Sequence, residues 1–367
     1  MQNSLMSQLP SLYIPRRKVI IGLMGLVAAA AAGELVACQP SSQGTSVGSP
    51  VTKSSTSSAM KPTLTATEPQ GRTLFVYREH TSFVHDVAWS PDGTRIASAS
   101  DNLGTGNAPP FEQEVRIWDP NTGKTALRYA GHYEHEPAPN QNQTFPDGIQ
   151  ALAWSPDGTR IASLENISVY IWKPQTGQIL ASYTPTPDGS WMTSLAWSPN
   201  GTRMAVSGFA HDVQIWNTAT EKMVLHHDTG SVDLAWSPDG THIASAAANK
   251  GHSVQLWDAA TGQAINFYPG GRLTSIVWSP NGKYICFTDN NGILQVWEAA
   301  INGQQILSCS GMEIGTQYMP ARPHLIAWSP DSKYIAFGKN TTVQIWEVVA
   351  RHLRFTYREH MDVVRKV

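Results

Sequence analysis

The sequence of 367 residues has few charged residues and few cysteines. Charged residues make up 15% of it, and 26 Lys and Arg nearly balance 28 Asp and Glu. A nucleic-acid interface needs a basic stripe or an arginine cluster, and the sequence shows neither. Three cysteines are also too few for a disulfide framework. We therefore expect neither a nucleic-acid partner nor a fold that depends on disulfides.

Residue patterns typical of catalytic sites are also missing. There is no glycine-rich nucleotide loop and no recognisable pairing of a nucleophile with a base. The run from His132 to Glu136 offers two imidazoles and two carboxylates, but its spacing matches no zinc motif, and Pro137 and Pro139 favour an extended loop. We expect no metal, no cofactor and no catalytic activity.

A run close to AWSPDG occurs six times, and each time a run close to VQIWD follows it. The tryptophans of the first run are 65, 43, 39, 42 and 50 residues apart, centred on the roughly 40–45 residues of one propeller blade. A residue that recurs at the same place in every unit is expected to stabilise the fold that the units share, so we interpret these tryptophans as structural. Twelve of the 13 tryptophans are of this kind: Trp89, Trp118, Trp154, Trp172, Trp197, Trp216, Trp236, Trp257, Trp278, Trp297, Trp328 and Trp346.

Each unit predicts four antiparallel strands joined by tight turns. In the first unit, residues 84–89, 95–99, 115–118 and 126–129 are apolar and β-prone. The SPDG sequence favours a tight turn, because proline presets φ at its second position and glycine takes the positive φ at its fourth. Ser332 replaces that glycine in the last copy, where we expect a weaker turn.

Four strands of this length cannot bury both faces alone, so neighbouring units must stack around a ring. Over residues 73–367 the units resemble those of WD-repeat β-propellers, and together with the features of the first 38 residues they resemble exported bacterial WD-repeat lipoproteins. The resemblance implies an all-β fold, a β-propeller of six four-stranded WD-type blades, which binds other proteins. True Trp-Asp pairs occur only at residues 118–119 and 257–258.

The family stabilises each blade with a hydrogen-bond network that includes a Gly-His histidine. By this resemblance His80, His132 and His360 take that place, and His226 or His227 is a further candidate. The units that contain Trp197, Trp278 and Trp328 lack a clear equivalent. We expect those blades to rely more on packing than on the network.

Two of the cysteines fall in one unit. Cys286 lies in a predicted second strand and Cys309 in the fourth strand of the same unit. Because those strands are not neighbours, they lie about 10 Å apart at a strand spacing of roughly 4.8 Å, beyond disulfide reach. The pattern predicts two buried thiols.

Residues 1–38 have the features of a secretory signal. A positive start at residues 16–18 precedes an apolar stretch that ends in LVAC at Cys38. This resembles a bacterial lipoprotein signal, which would leave a lipid on Cys38. The alternative is an uncleaved anchor helix, because residues 19–37 are just long enough to span a bilayer. Either way we expect an exported protein, tethered to the extracytoplasmic side of the membrane.

Residues 39–72 are rich in Ser, Thr, Pro and Gly and have almost no large apolar residues. Such a segment cannot bury enough surface to offset its ordering entropy. We predict a disordered linker between the signal or anchor helix and the propeller.

Most of the variation in unit length falls in links that follow a second or a fourth strand. Because strands alternate in direction, both kinds of link leave on one face of the ring, and the SPDG and TG turns lie on the other. We predict that the irregular face binds an unidentified protein or peptide, since exposed aromatic residues and arginines dominate interface energy. The candidate contacts are Phe111, His132, Tyr133, Glu134, His135, Glu136, Phe145, Trp191, Met312, Tyr318, Met319 and Arg322.

The two ends of the propeller segment are related. Residues 356–367 align without gaps to residues 76–87, so a truncated seventh repeat follows the sixth unit. We predict six blades, completed by residues 73–77 or 353–357. A slightly open ring and a seven-bladed ring made of two fragments are the alternatives, and an unpaired edge would be a docking site for another strand.

Two functions remain at this point. The first is a non-catalytic protein-interaction scaffold tethered outside the cell membrane. The alternative is a propeller enzyme or a ligand-sensing domain with a site at the central channel, which would require acidic or histidine side chains from several blades to converge there.

Overall fold

The computed structural model describes fourteen stretches of the chain, and all of their regular secondary structure is β-strand. Among the described residues, no helix is long and apolar enough to cross a bilayer. The described stretches are residues 19–21, 75–80, 84–100, 114–130, 149–165, 167–185, 192–208, 211–227, 231–247, 253–271, 273–289, 293–309, 326–339 and 342–358.

Six four-stranded antiparallel sheets follow one another along the chain, which confirms the predicted six-bladed propeller architecture. In each sheet the strands pair in sequence order, from a first to a fourth strand. Blade 1 contains β3 Val84–Trp89, β4 Ile96–Ser100, β5 Glu114–Trp118 and β6 Thr125–Tyr129. Blade 2 contains β7 Ile149–Trp154, β8 Ile161–Glu165, β9 Ser168–Trp172 and β10 Ile179–Tyr183. Blade 3 contains β11 Met192–Trp197, β12 Arg203–Gly208, β13 His211–Asn217 and β14 Lys222–His227.

The second half of the ring repeats this plan. Blade 4 contains β15 Ser231–Trp236, β16 His242–Ala247, β17 Ser253–Asp258 and β18 Ala264–Pro269. Blade 5 contains β19 Leu273–Trp278, β20 Tyr284–Asp289, β21 Leu294–Glu298 and β22 Gln305–Cys309. Blade 6 contains β23 Ile326–Trp328, β24 Tyr334–Lys339, β25 Thr342–Glu347 and β26 His352–Tyr357.

Two short strands precede blade 1. β1, Val19–Ile21, pairs antiparallel with β2, Phe75–Tyr77. The sequence predicted a signal or anchor helix that includes Val19–Ile21, whereas the structure has a strand there. The remainder of residues 1–38, including Cys38, and all of the linker at 39–72 lie outside the described residues.

The core lies between blades. Val115 and Ile117 on the third strand of blade 1 pack against Ile149 and Ile161 at the start of blade 2. Equivalent buried clusters join blade 2 to 3, 3 to 4, 4 to 5 and 5 to 6. Because a fully buried aliphatic side chain contributes roughly 1.5–3 kcal/mol, each blade depends on its neighbour for much of its stability.

The repeat tryptophans occupy two different places in these interfaces. Indoles on the third strands are covered best, and Trp118, Trp172, Trp257 and Trp346 are all at most 2% exposed. Several of them stack on a ring from the outer strand of the preceding sheet, as Tyr129 does on Trp172 at 4.2 Å. On the first strands, the indoles of Trp154, Trp197 and Trp236 instead donate to a carbonyl of the preceding blade, as Trp154 does to Ala88 at 3.2 Å.

The indole N–H of each third-strand tryptophan donates a hydrogen bond to one of two kinds of acceptor. In blades 1, 2 and 4 a second-strand serine hydroxyl accepts, as Ser98 does from Trp118 at 3.1 Å. In blades 3, 5 and 6 a larger apolar residue stands at that serine position, and a third-strand glutamine accepts instead. These glutamines are Gln214, Gln295 and Gln344, and the apolar residues are Val206, Phe287 and Phe337.

The blades without a Gly-His histidine therefore do not rely on packing alone, as the sequence had suggested. His227 also differs from its predicted role. It pairs in register with Val213 and stacks on Trp257 at 4.7 Å, so it takes the place of the outer-strand tyrosines. The assignment of His227 to the Gly-His position was wrong, because the imidazole fills an aromatic stacking site.

The two cysteines of blade 5 are not bonded to each other. Cys286 is a free, fully buried thiol, and burial raises its pKa well above the usual value. Cys309 is disulfide-bonded to a partner outside the described residues. The prediction of two free thiols therefore holds for Cys286 and is wrong for Cys309.

The SPDG turns of successive blades nest against one another. In the turn of blade 1, the Gly93 N–H donates to the Ser90 carbonyl at 2.9 Å, and the positive φ of Gly93 lets the chain reverse. In blade 6, Ser332 keeps the positive φ, at 59°. Its Oγ accepts a 3.0 Å hydrogen bond from the N–H of Asn281 in the turn of blade 5. The loss of glycine is thus compensated by a bond between blades.

Two substitutions of Ser332 distinguish the effect of backbone strain on stability from the effect of the hydrogen bond. Ser332→Ala keeps the strain and removes the acceptor of the Asn281 N–H, so we expect a loss of about 1–2 kcal/mol in the free energy of unfolding. Ser332→Gly removes the acceptor but also the strain, and we expect a smaller loss. Urea unfolding measures both. Equal losses would contradict a compensating role for the hydroxyl.

Candidate functional site

The two faces of the ring differ in regularity. Ser100 pairs with Glu114, and Val115 pairs with Tyr129, so the links that follow β4 and β6 leave the sheet on the same face. The SPDG and TG turns lie at the opposite ends of these strands. We call the first the loop face and the second the turn face.

The turn face is a repeated network of backbone and side-chain hydrogen bonds. In blade 1 the carboxylate of Asp92 accepts from the Ser90 hydroxyl at 2.6 Å and from the Thr94 N–H at 2.9 Å. The serine hydroxyl is the main cause of a lowered pKa at Asp92, and the same contact lowers the pKa of Asp157 and Asp331 and brings that of Asp239 to about 2. These carboxylates maintain turns, and their perturbed pKa values do not mark a catalytic site.

The residues predicted to contact a partner are not placed by the structure. All of them lie in links outside the described residues, so the structure does not bring them together or separate them, and the recognition surface stays a prediction. Among the described residues, no group of three or more His, Cys, Asp or Glu side chains could hold a metal ion. The set outside the described residues is Phe111, His132, Tyr133, Glu134, His135, Glu136, Phe145, Trp191, Met312, Tyr318, Met319 and Arg322.

A clamp fastens β2 to blade 1. Tyr77 stacks on Trp118 at 4.3 Å with the rings 5° from parallel, and its hydroxyl lies 2.6 Å from that of Thr125. Glu79 accepts from Arg116 Nη1 at 3.1 Å and from the Thr125 hydroxyl, which is the main cause of its lowered pKa. The sequence identified the YREH run that supplies these residues but not what it binds.

Two buried groups beneath the clamp complete it. Arg116 pairs with Glu114, and both side chains are almost fully buried. Arg128 also donates to Glu114, at 2.9 Å. His80 lies 2.6 Å from the Ser98 hydroxyl, and burial, with Arg116 nearby, lowers the pKa of His80 to about 3. The imidazole is therefore neutral at physiological pH, which fits the structural role that the sequence predicted for it.

The seam between blade 6 and blade 1 differs from the five packed interfaces. Among the described residues, no buried cluster joins these two blades, and the cluster on the leading side of blade 1 contains Tyr77 of β2. Trp89 is 37% exposed, whereas the equivalent Trp197 and Trp236 are 7% and 8% exposed. On the other side, Val343 and Ile345 are only half-buried, although Val115 and Ile117 of blade 1 are at most 2% exposed.

The outer rim shows a further feature that the repeat pattern concealed. Large apolar side chains are exposed on the outer strands of three consecutive blades. They are Ile179 and Leu180 on β10, Met223 and Val224 on β14, and Phe267 on β18. Ile179 and Leu180 are consecutive, as are Met223 and Val224, so alternation of buried and exposed positions along a strand does not predict them.

The comparisons with known proteins agree with this geometry. The family model of the WD domain, G-beta repeat, matches residues 71–105 and 263–298. The chain is similar to WD-repeat proteins. A second model, that of eukaryotic translation initiation factor eIF2A, matches residues 135–255.

Three relatives show how far the likeness extends. WD repeat-containing protein slp1 of Schizosaccharomyces pombe is 25% identical over 238 residues, which are 61% of this chain and 42% of that protein. WD repeat-containing protein 1 of Gallus gallus is 27% identical over 116 residues, 31% of this chain and 16% of that protein. Coronin-7 of Mus musculus is 28% identical over 131 residues, 35% of this chain and 12% of that protein.

The chain thus spans less than half the length of each of these relatives. All three come from eukaryotes, so they lend no support to the resemblance to bacterial lipoproteins. That resemblance stays a prediction from the first 38 residues.

The turn face predicts a specific dependence of stability on pH. The folded-state pKa of Asp239 is about 2, below the ordinary 3.8, so its contribution is complete above about pH 4 and is lost as the pH falls towards 2. Asp239→Asn should keep the turn, because Asn200 accepts the equivalent bond from Ser198 at 2.8 Å. We expect the variant to be less stable than the wild type at pH 7 and to approach it at pH 2.5, by urea unfolding.

The matched control for this prediction is Asn200→Asp. It places a carboxylate in the same turn of blade 3 and should make stability more sensitive to acid. A stability difference between the wild type and Asp239→Asn that does not change with pH would contradict the assignment.

Proposed function

We propose that this protein is a non-catalytic interaction scaffold that binds a protein or peptide partner through its loop face. The observation that carries the proposal is the asymmetry of the ring. The turn face repeats one hydrogen-bonded turn in all six blades, whereas the links on the loop face differ in length and composition from blade to blade. Recognition of one partner requires side chains that are not repeated.

The chemistry of the loop-face residues suggests how a partner would be held. The links contain aromatic rings and an arginine, which combine large contact area with hydrogen-bonding ends. The mature propeller has a near-neutral charge and no basic stripe, so long-range electrostatic attraction would contribute little. The proposed interface therefore depends on shape and on a few aromatic anchors.

The proposal includes a location. The apolar stretch that ends at Cys38 would direct export, and either a lipid on Cys38 or an uncleaved anchor would hold the propeller at the extracytoplasmic side of the membrane. The Ser, Thr, Pro and Gly-rich residues 39–72 would act as a flexible stalk. The stalk would let the loop face meet partners within its reach.

Affinity capture from membranes, with variants on each face, tests the scaffold. We expect Tyr133→Ala combined with Trp191→Ala to reduce recovery of the partner at least about tenfold, as loss of two anchors does. The matched control is Ile301→Ser combined with Val349→Ser, which removes two exposed apolar side chains from the turn face. Equal losses from both pairs would contradict the loop face, and capture of only a small molecule that the protein turns over would favour the enzyme.

The mass of the mature N-terminus tests the tether. A lipoprotein would begin at Cys38 and carry acyl chains, whereas an anchor would leave residues 1–37 in place. A lipid thioether would occupy the sulfur of Cys38, so Cys38 could not then be the disulfide partner of Cys309. The lipidated form should therefore contain Cys309 as a free thiol. We expect a lipidated Cys38 in protein from the native membrane fraction. An intact, unmodified Met1 would overturn lipidation and leave the anchor.

A further inference from the structure

The outer strand of every blade contains a β-bulge at the same place. One outer-strand residue pairs with the third-strand tryptophan, and the residue after it is the extra one of the bulge. In blade 2 these two residues are Ile179 and Leu180, and in blade 3 they are Met223 and Val224. A bulge breaks the alternation of a strand. Both members of each pair therefore face solvent, and the four side chains are 41–49% exposed.

These two apolar pairs are not part of the repeat. Each of the other four blades has a polar residue or an alanine in at least one of the two bulge positions. The pairs there are Thr125 and Ala126, Ala264 and Ile265, Gln305 and Ile306, and Leu353 and Arg354. A side chain that maintained the blade would recur in every blade. The large apolar pairs of blades 2 and 3 are therefore not required by the shared fold.

The two apolar pairs adjoin each other on the outer rim. The ring of Tyr183, at the end of β10, stacks on Trp216 of blade 3 at 4.7 Å, and Met223 pairs in register with Trp216. The outer strands of blades 2 and 3 are thereby held side by side. On the next outer strand, β18, Phe267 is 59% exposed. We call this surface the rim patch, and it consists of Ile179, Leu180, Met223, Val224 and Phe267.

Positive charge borders the rim patch. Lys222 directly precedes Met223, and Lys173 lies in the turn that leads to β10; both residues are exposed. The outer strands β6, β10, β14, β18, β22 and β26 contain no Asp or Glu, although the whole chain has more acidic than basic residues. The nearest carboxylate in the sequence is that of Glu221, in the turn before β14. The rim thus combines exposed apolar side chains with lysines.

This combination distinguishes between three possible occupants. Two copies that met through the rim patch would bring the lysines of one copy towards those of the other, and like charges repel. An added strand would need a regular row of free backbone groups, which the bulge interrupts. An anionic lipid surface takes up shallow apolar side chains and also attracts the lysines beside them. Both features of the rim therefore favour the lipid surface.

We propose that the rim patch binds the interface of an anionic lipid bilayer, with its apolar side chains among the acyl chains and Lys173 and Lys222 at the headgroups. The ring would then stand on its rim, with the loop face and the turn face at its two sides. This surface is separate from the loop face and needs no lipid on Cys38. It would bind with or without the partner and the tether proposed above.

Hydrogen exchange of the full chain, with and without lipid vesicles, tests the docking at the patch itself. Vesicles of phosphatidylcholine that contain a quarter of phosphatidylglycerol should slow the exchange of residues 179–183 and 222–227 at least about threefold. Vesicles of phosphatidylcholine alone should not. Residues 299–303 and 348–351, in the turns that carry Ile301 and Val349, should exchange equally with either. Binding by the first 38 residues would not imitate this local effect.

Variants separate the apolar contribution from the charge. Met223→Ser combined with Val224→Ser should remove the slowing and weaken cosedimentation with the anionic vesicles at least about tenfold, because two inserted side chains are lost. Lys222→Glu should weaken it at least about fivefold, and so should raised salt. The matched controls are Ile301→Ser combined with Val349→Ser, and Lys283→Glu. They make the same changes at exposed places on the turn face and should bind like the wild type.

Several results would overturn the docking. They are unchanged exchange of β10 and β14 with anionic vesicles, equal losses of binding from the two serine pairs, and equal slowing by vesicles of phosphatidylcholine alone. Slowing that needs no vesicles and grows with protein concentration would show that a second copy covers the rim patch instead.

Discussion

Each of blades 1 to 5 depends on apolar contact with the next blade. A four-stranded sheet has two faces, and here one face carries the valine and isoleucine of the third strand while the other carries the first-strand tryptophan and the second-strand isoleucine. Neither face can be covered within the sheet. The interfaces therefore set the order of the blades. From blade 1 to blade 4, a ring on the outer strand of each blade also stacks on a tryptophan of the next.

Much of this was visible in the sequence because it is repeated. The spacing of the tryptophans predicted the six sheets, and the SPDG runs predicted the turns that reverse the chain between first and second strands. What the repeat could not show was how individual copies compensate for their differences. Ser332 accepts a hydrogen bond from a neighbouring turn, and a glutamine replaces the serine acceptor in three blades. The Ser332 bond joins residues 51 positions apart in the sequence. The choice of tryptophan acceptor depends on whether the second-strand residue paired with the glutamine is a serine or a larger apolar residue.

Less of the candidate site than of the fold could be predicted from the sequence. Residues that recur can be placed by comparison with one another, but a recognition surface consists of residues that do not recur. The link lengths and the direction of the strands identified the loop face. The positions of Phe111, His132 and Trp191 depend on loops whose sequences do not recur, so the repeat does not predict them. Even within the repeat, the role of His227 could not be assigned from the sequence, because an imidazole can either form hydrogen bonds or stack as an aromatic ring.

The clamp on β2 determines how mechanical load enters the ring. Residues before Phe75 connect to the propeller through one short strand, and that strand is held by the Tyr77 ring and the Glu79 carboxylate. A force applied at Phe75 would shear the Tyr77 ring across Trp118 and stretch the Glu79–Arg116 ion pair before it reached blade 1. Blade 1 would therefore bear the force first, and the other five blades would receive it through the apolar contacts and the hydrogen bonds between blades.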